Sequence, residues 1–484
     1  MLPSEDVLIR RLAEWLPRQR WFGGKDGPID EITIGTATEL RTGDPALTHL
    51  VLDVRQHTAT DHYQLLLGTR RHLPDRLRHA EIGEFPEDGA GDAGGKGGTG
   101  GPSGHLYDAA YDADLTATLL AGLADEASIG PLRFHRVPGT ALRTDLTSLP
   151  ITAEQSNTSL LFGDDYICKL FRRLSQGVNL DLEVNLALTR QGCARVPAVH
   201  GWIELEPRVP GAEPVTLALL SDYLRTGSDG WSLAIASVRD WYAYTAPPGE
   251  DERAEPDAGA AGGDFAAEAE RLGAATAEVH RALAAAFGVT TIPADDVRAM
   301  AARMNEELTG TCRAVPSLAP YARALTDAFV ELAARAEPLP VQRVHGDYHL
   351  GQVLRTEGGW TLIDFEGEPA RTPAERRAPA HPLRDVAGML RSFEYAARFL
   401  STRSGALPPE SGRLLESRAH AWAARNRAAF CHGYAAAGGQ DPAAHPVLMR
   451  AFEFEKAVYE VRYEARNRPA WLPVPLTSLA HLTT

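Results

Sequence analysis

The stretch Val344-His345-Gly346-Asp347-Tyr348-His349-Leu350-Gly351-Gln352, followed by Leu362-Ile363-Asp364-Phe365-Glu366, decides how this chain is read. It sets an acid between two histidines, an amide shortly after, and a second acid at the end of a short apolar run. Phosphoryl transfer from ATP needs an acid that accepts or orients the proton of an attacking hydroxyl. It also needs hard oxygen ligands that hold Mg²⁺ against the phosphates. Asp347 suits the first task; Asp364 and the side-chain carbonyl of Gln352 suit the second. His345 and His349 read as loop-shaping imidazoles, and Glu366 as a supporting neighbour of the metal aspartate. A hairpin whose Asp and His residues make turns and caps explains one such triplet. It does not explain both motifs in this order.

His345-x-Asp347-x-x-x-x-Gln352 keeps the spacing of the kinase catalytic loop, with Gln in the Asn position, and Asp364-Phe365-Glu366 stands where kinases carry D-F-G. The pattern resembles the aminoglycoside-phosphotransferase and choline-kinase branch of small-molecule kinases. The longer string Val344 to Arg355, then Asp364 to Pro369 and Pro382 to Phe393, resembles the actinobacterial maltokinases. So do the tail Lys456 to Pro469, the segment Ala153-Glu154-Gln155-Ser156-Asn157-Thr158-Ser159 and the opening Trp15 to Phe22. That resemblance implies an α+β, bilobal, eukaryotic-protein-kinase-like fold: a mixed β/α N-lobe, a mostly helical C-lobe and an N-terminal α/β cap domain. It implies ATP- and Mg²⁺-dependent phosphorylation of maltose at its anomeric hydroxyl, giving α-maltose 1-phosphate for α-1,4-glucan (glycogen-like) synthesis. It also points to an association with trehalose synthase.

A chain of 484 residues is long for one core, so two or three domains are expected. Hydrophobic content of 44% and charged content of 23% are those of an ordinary globular protein. A net charge of −15 leaves no basic face to neutralise a nucleic-acid backbone. Cys168, Cys193, Cys312 and Cys431 lie far apart without a CxxC pair, which disfavours zinc or a disulfide framework and suits a reducing compartment. The acidic start Met1 to Asp6 is unlike a signal peptide, and no apolar run approaches a membrane span. A cytoplasmic location is expected, with no membrane and no nucleic-acid partner.

Periodicity gives a strand-rich half followed by a helix-rich half, and the resemblance implies their division into a cap (residues 1–125), a nucleotide-binding N-lobe (126–224) and a helical C-lobe (225–484). A helix is expected from about Glu5 to Leu16, then strands around Ile32-Thr33-Ile34, His49 to Val54 and His62 to Leu67. Residues 86–104 and 247–263 are low-complexity insertions without apolar groups to bury. A helix is read from Tyr107 to near Leu123. Leu160-Leu161-Phe162 and Tyr166 to Phe171 flank a Gly163-Asp164-Asp165 turn and predict a β-hairpin. Helical spacing follows from Leu180 to Gly192 and from Asp264 to Phe287.

No Gly-rich phosphate loop occurs. Ser156, Asn157, Thr158 and Ser159 stand where one would be, and their small polar side chains and free amides suit phosphate as well as ordinary turns. Lys169 ends the second hairpin strand, where a kinase needs a cation on the α/β phosphates, and Glu183 on the next helix is its expected ion-pair partner. Asp222-Tyr223-Leu224 is then expected to be the hinge, where backbone groups meet adenine.

Sugars are recognised by carboxylates and arginines that bridge hydroxyls and by stacked aromatic faces. Arg384, Arg391, Glu394, Glu460, Tyr463 and Arg466 are the acceptor candidates; Glu460, Tyr463, Glu464 and Asn467 fall on one helical face. A surface helix with internal Glu–Arg pairs fits the same spacing. Two rivals remain: another sugar or aminoglycoside kinase on this scaffold, or a non-catalytic kinase-like scaffold. The basic residues among the candidates disfavour a polycationic aminoglycoside. Retention of Asp347, Gln352, Asp364 and Lys169 together disfavours a dead scaffold.

Overall fold

Alternating and β-branched runs in the first 225 residues build two antiparallel sheets. The computed structural model describes residues 2–25, 27–85, 104–151, 157–207, 209–225, 228–244, 264–368, 371–403 and 409–483. The 247–263 patch, and all but the last residue of the 86–104 stretch, lie outside them. The chain divides into two units: residues 1–186 with 198–225, and residues 187–197 with 226–484.

In the first unit one sheet runs Glu31–Arg41, Ala46–Gln56, Ala59–Arg70, Gly104–Asp108 and Glu81–Phe85, with Arg173–Leu174 added to the Ala59–Arg70 strand. The helix Glu5–Trp15 lays Leu8, Leu12 and Trp15 against this sheet's Leu50, Leu52 and Leu65. It stops at a 3-10 turn, Leu16–Arg18, because Pro17 cannot supply the next helical N–H. The second sheet has seven strands in the order Ser128–Ile129, Leu132–Arg136, Val199–Leu205, Val215–Asp222, Tyr166–Leu170, Thr158–Phe162 and Ser148–Ile151. Its central hairpin pairs Phe162 with Tyr166 and Ser159 with Lys169, and Gly163 in the turn has φ +56.

One core holds both sheets. Leu47, Val51 and Leu66 of the first pack with Leu160, Leu217 and Leu219 of the second, and the helix Ala113–Ala124 adds Leu115, Leu119 and Leu123. Each such side chain contributes about 1.5–3 kcal/mol on burial. At this seam buried Arg172 meets Asp108 at 2.6 Å and Thr158 at 2.8 Å and lies over the Trp21 ring. One expectation fails here. The segment from Tyr107 does not begin a helix: Gly104–Asp108 is a strand, and the helix starts only after Asp112, whose carboxylate accepts the Asp114 amide. Pairing with Ala59–Arg70 and Glu81–Phe85 overrides local pattern.

The second unit is helical, with Gly230–Ala243, Ala266–Phe287, Ala294–Ala314, Ala322–Ala334, Leu383–Arg403, Pro409–Ala436, Pro446–Asn467 and Pro473–Leu482. Ala266–Phe287 and Pro409–Ala436 approach closely at two glycines. A Cβ on Gly273 would fall 2.1 Å from the Phe430 carbonyl oxygen, and one on Gly433 would fall 1.9 Å from that of Glu270. Two short ladders interrupt the helices. The strand Leu339–Gln342 enters the Val344–Gln352 loop, and the hairpin Val353–Thr356 with Gly359–Leu362 leads out of it to Asp364. The loop is thereby held between two fixed strand ends. Among the described residues no helix is long and apolar enough to cross a membrane.

Candidate active site

The backbone of the Val344–Gln352 loop is fixed by a buried acid from elsewhere. Asp385, at the start of the helix Leu383–Arg403, accepts the His345 amide at 2.7 Å and the Gly346 amide at 3.0 Å. His280 donates to the same carboxylate at 2.9 Å, and the Tyr434 hydroxyl lies 2.9 Å from the other nitrogen of that ring. Burial pushes the Asp385 carboxyl up. The His280 hydrogen bond and charge, and the Gly346 amide, outweigh it and hold the group below its ordinary value. Gly346 has φ +87, a conformation that other residues reach only with strain. His345 is buried. Its Nε2 donates to the Ile363 carbonyl at 2.9 Å and its Nδ1 accepts the Asp347 amide at 3.4 Å, which is the loop-shaping role expected for it. The ring thus ties the Asp347 turn to the strand end that precedes Asp364.

Asp364 itself has φ +66, costly for a residue with a side chain and a mark of a geometry that the surroundings impose. Gln352 Nε2 donates to its carboxylate at 3.1 Å. A half-turn of that amide would present Oε1 instead, giving two hard oxygen donors that fit Mg²⁺. His349 is held neutral, because burial lowers its pKa more than the nearby Asp347 raises it, and its Nδ1 accepts the Gly351 amide.

A residue missed in the sequence stands beside Asp347. Lys456, from the helix Pro446–Asn467, reaches to 3.5 Å of the Asp347 carboxylate and 3.1 Å of Glu368, and lies over the Tyr459 ring. Burial favours its neutral form, but Asp347, Glu368 and Glu460 outweigh this and raise its pKa above the ordinary value. Glu368 also pairs with Arg371 at 2.9 Å. Burial pushes Glu368 up, and these two cations hold it low.

The acceptor candidates do not form one face. Arg391 is buried and paired with Glu460 at 2.6 Å, and Glu394 is buried with Arg398 and near Arg427. Glu464 is buried too, held by Arg468. The expected sugar-facing stripe of Glu460, Tyr463, Glu464 and Asn467 therefore splits, with both carboxylates inside and Tyr463 and Asn467 outside. The reason is packing: this helix contacts helices on more than one side, so its charged positions are buried as pairs. Arg384 is half-buried and bonded to Glu455, and Arg466 is exposed.

In the first unit Lys169 pairs with Asp181 at 3.1 Å. Asp181 lies in the first turn of the helix Leu180–Arg190 and is fixed by Asn185, two residues before the half-buried Glu183. Thr158 and Ser159 are buried in the strand, and the Thr158 hydroxyl is taken by Arg172. Asn157 is half-buried just before it; Ser156 lies outside the described residues. Asp222 ends its strand and accepts from the Ala198 amide and His200, with Leu224 half-buried beyond it.

Comparison with known proteins gives these geometries a context. Residues 15–112 match the maltokinase N-terminal cap domain, and residues 147–431 match the phosphotransferase enzyme family. A glucosamine kinase of Streptacidiphilus jiangxiensis is 32% identical over 347 residues, covering 69% of this chain and 72% of the relative. A glucosamine kinase of Mycolicibacterium smegmatis is 30% identical over 342 residues, covering 69% and 79%. A glucosamine kinase crystal structure superposes with a TM-score of 0.69 at 25% identity over 99% of each chain. A second, in complex with glucosamine, ADP and inorganic phosphate, gives 0.66 at 24% identity and attests the fold. With an Asp347 loop locked by Asp385, a strained Asp364 beside Gln352, and an N-terminal cap, this chain belongs to the phosphotransferase enzyme family.

Proposed function

We propose that the protein is an ATP-dependent sugar kinase that phosphorylates maltose at its anomeric hydroxyl. The observation that carries the kinase reading is the fixed loop, which presents Asp347 at one strand end and the Asp364–Gln352 pair at the next. Asp347 orients the acceptor hydroxyl and takes its proton late. The sugar oxygen forms a bond to the γ-phosphorus as the bond to the β,γ-bridging oxygen breaks, and ADP leaves. Asp364 and Gln352 would hold Mg²⁺, which supplies charge neutralisation at the phosphates. Lys169, kept in place by Asp181, is assigned to the α/β phosphates, with Asn157 to Ser159 contributing backbone amides and Asp222 to Leu224 the adenine contacts.

Maltose as acceptor is supported by the cap-domain match and by the tail Lys456 to Pro469. Tyr463 and Arg466, exposed on that helix, and Arg384 remain the side chains assigned to the sugar. A second reading, glucosamine as acceptor, is favoured by the names of the relatives. A coupled ADP-release assay with Mg²⁺ across maltose, glucose, glucosamine and an aminoglycoside separates the readings, with Asp347→Asn as the inactive control. Maltose should give the highest kcat/KM. Turnover of glucosamine alone would replace the proposal with the second reading, and ADP release insensitive to Asp347→Asn would remove the kinase mechanism.

A further inference from the structure

We infer that Lys456 selects against a cationic acceptor: its ammonium group occupies, beside Asp347, the electrostatic place that an amino sugar would need. The inference rests on the sugar-kinase reading and deepens it. Four charged groups meet there. Lys456 lies 3.5 Å from Asp347 and 3.1 Å from Glu368, and Arg371 lies 2.9 Å from Glu368. Two cations thus answer two carboxylates. The next carboxylate along the helix, Glu460, is answered by Arg391 at 2.6 Å. Among the described residues, Asp347 and Glu368 thus already have cations beside them before an ammonium arrives.

A hydroxyl poised for attack must come within hydrogen-bond reach of Asp347, so substituents on the neighbouring sugar carbon come within a few ångströms of Lys456. A hydroxyl there can accept a hydrogen bond from the ammonium group, which has three donors and no acceptor capacity. An amine protonated at neutral pH cannot, and it places like charge beside like charge at side chains that are only partly exposed. At such separations and the effective dielectric of a protein pocket, that repulsion lowers relative kcat/KM by about 10- to 100-fold. Lys456 therefore serves as a specificity-determining residue and as a clamp on Asp347. The Tyr459 ring beneath it limits the directions in which the ammonium group can withdraw.

The test compares glucose with glucosamine, a pair in which one hydroxyl is exchanged for an ammonium, alongside maltose. The full-length wild type, Lys456→Met and Lys456→Arg are assayed by ADP release. Wild type should favour glucose over glucosamine. Lys456→Met should lose activity on the neutral sugars and narrow the glucose-to-glucosamine ratio of kcat/KM by about tenfold or more. Lys456→Arg should restore the ratio. A purely structural lysine would lower every rate alike and leave the ratio unmoved, which overturns the inference while maltose turnover by wild type still stands. Wild-type preference for glucosamine over both neutral sugars would instead overturn the functional reading beneath it. Should Lys456→Met fail to fold, inhibition of wild-type maltose phosphorylation is measured at pH 6.5 and pH 9. Glucosamine, whose amine loses its proton near pH ~8 as a typical α-amine does, should gain on glucose as inhibitor at pH 9. An unchanged ratio of inhibition constants overturns the inference.

Discussion

Replacing Asp385 by Asn tests whether the Val344–Gln352 loop is held in place by one buried carboxylate. In the native protein this group takes two backbone amides, at 2.7 and 3.0 Å, and the His280 ring at 2.9 Å. An Asn keeps one oxygen for one amide and turns an NH₂ group toward another donor. The change forfeits a charge-assisted hydrogen bond, about 1.5–3 kcal/mol, and leaves a buried donor unsatisfied, about 1–3 kcal/mol more. A loss of about 3–5 kcal/mol is expected, the range found when one partner of a buried charged pair is removed. For a unit of this size that lowers Tm by on the order of 10 °C. Turnover should fall further than stability alone demands, because displacing Asp347 by ~1 Å costs about 10²-fold. The sign with pH follows from the depressed pKa of Asp385. Its stabilisation is present in full above the unfolded carboxylate value near ~3.9 and is lost as pH falls through the lower folded value. The gap between wild type and variant should therefore close below pH ~4. Thermal unfolding by circular dichroism and ADP release at saturating substrates measure both effects. A variant with wild-type Tm and turnover at pH 7 would refute the anchoring role.

Asp364→Ala should abolish Mg²⁺-dependent turnover, whereas Gln352→Ala should raise the Mg²⁺ requirement before it lowers the maximal rate; identical Mg²⁺ titrations for both variants and wild type would dismiss the metal assignment. Glu460→Ala should destabilise the second unit by about 3–5 kcal/mol, because it strands buried Arg391. A raised KM for maltose at unchanged Tm would return Glu460 to the sugar site. His49 is buried, donates to Gln64 and is lowered to about 4 by burial. The unfolded chain takes up a proton below pH ~6.5 while the native ring stays neutral, so stability should fall as pH drops from ~6.5 to 4. His49→Gln should flatten that part of the Tm–pH curve, and an unchanged slope would show that the acid sensitivity lies elsewhere.

The loop and the hairpin were legible because their signals are local. The residues from His345 to Gln352 and the Gly163 turn carry their geometry in adjacent positions, so spacing alone predicts it. The ion pair of Lys169 with Asp181 at 3.1 Å was not legible, since one helical turn holds both Asp181 and Glu183 and spacing alone does not assign the contact. Lys456 lies 109 residues from Asp347 in the chain. Its helix carries charged positions at i, i+4 and i+8 whether they face a ligand, the solvent or one another. What decides among these is how many neighbouring helices cover the helix, a tertiary quantity. For Glu460 and Glu464 that cover converts the expected sugar-binding stripe into internal ion pairs, while Lys456 on the same helix pairs with Asp347. A buried carboxylate without a partner costs several kcal/mol, so a packed helix that carries acids also recruits the cations to answer them. The cation that answers Asp347 then fixes the charge that an acceptor meets on arrival.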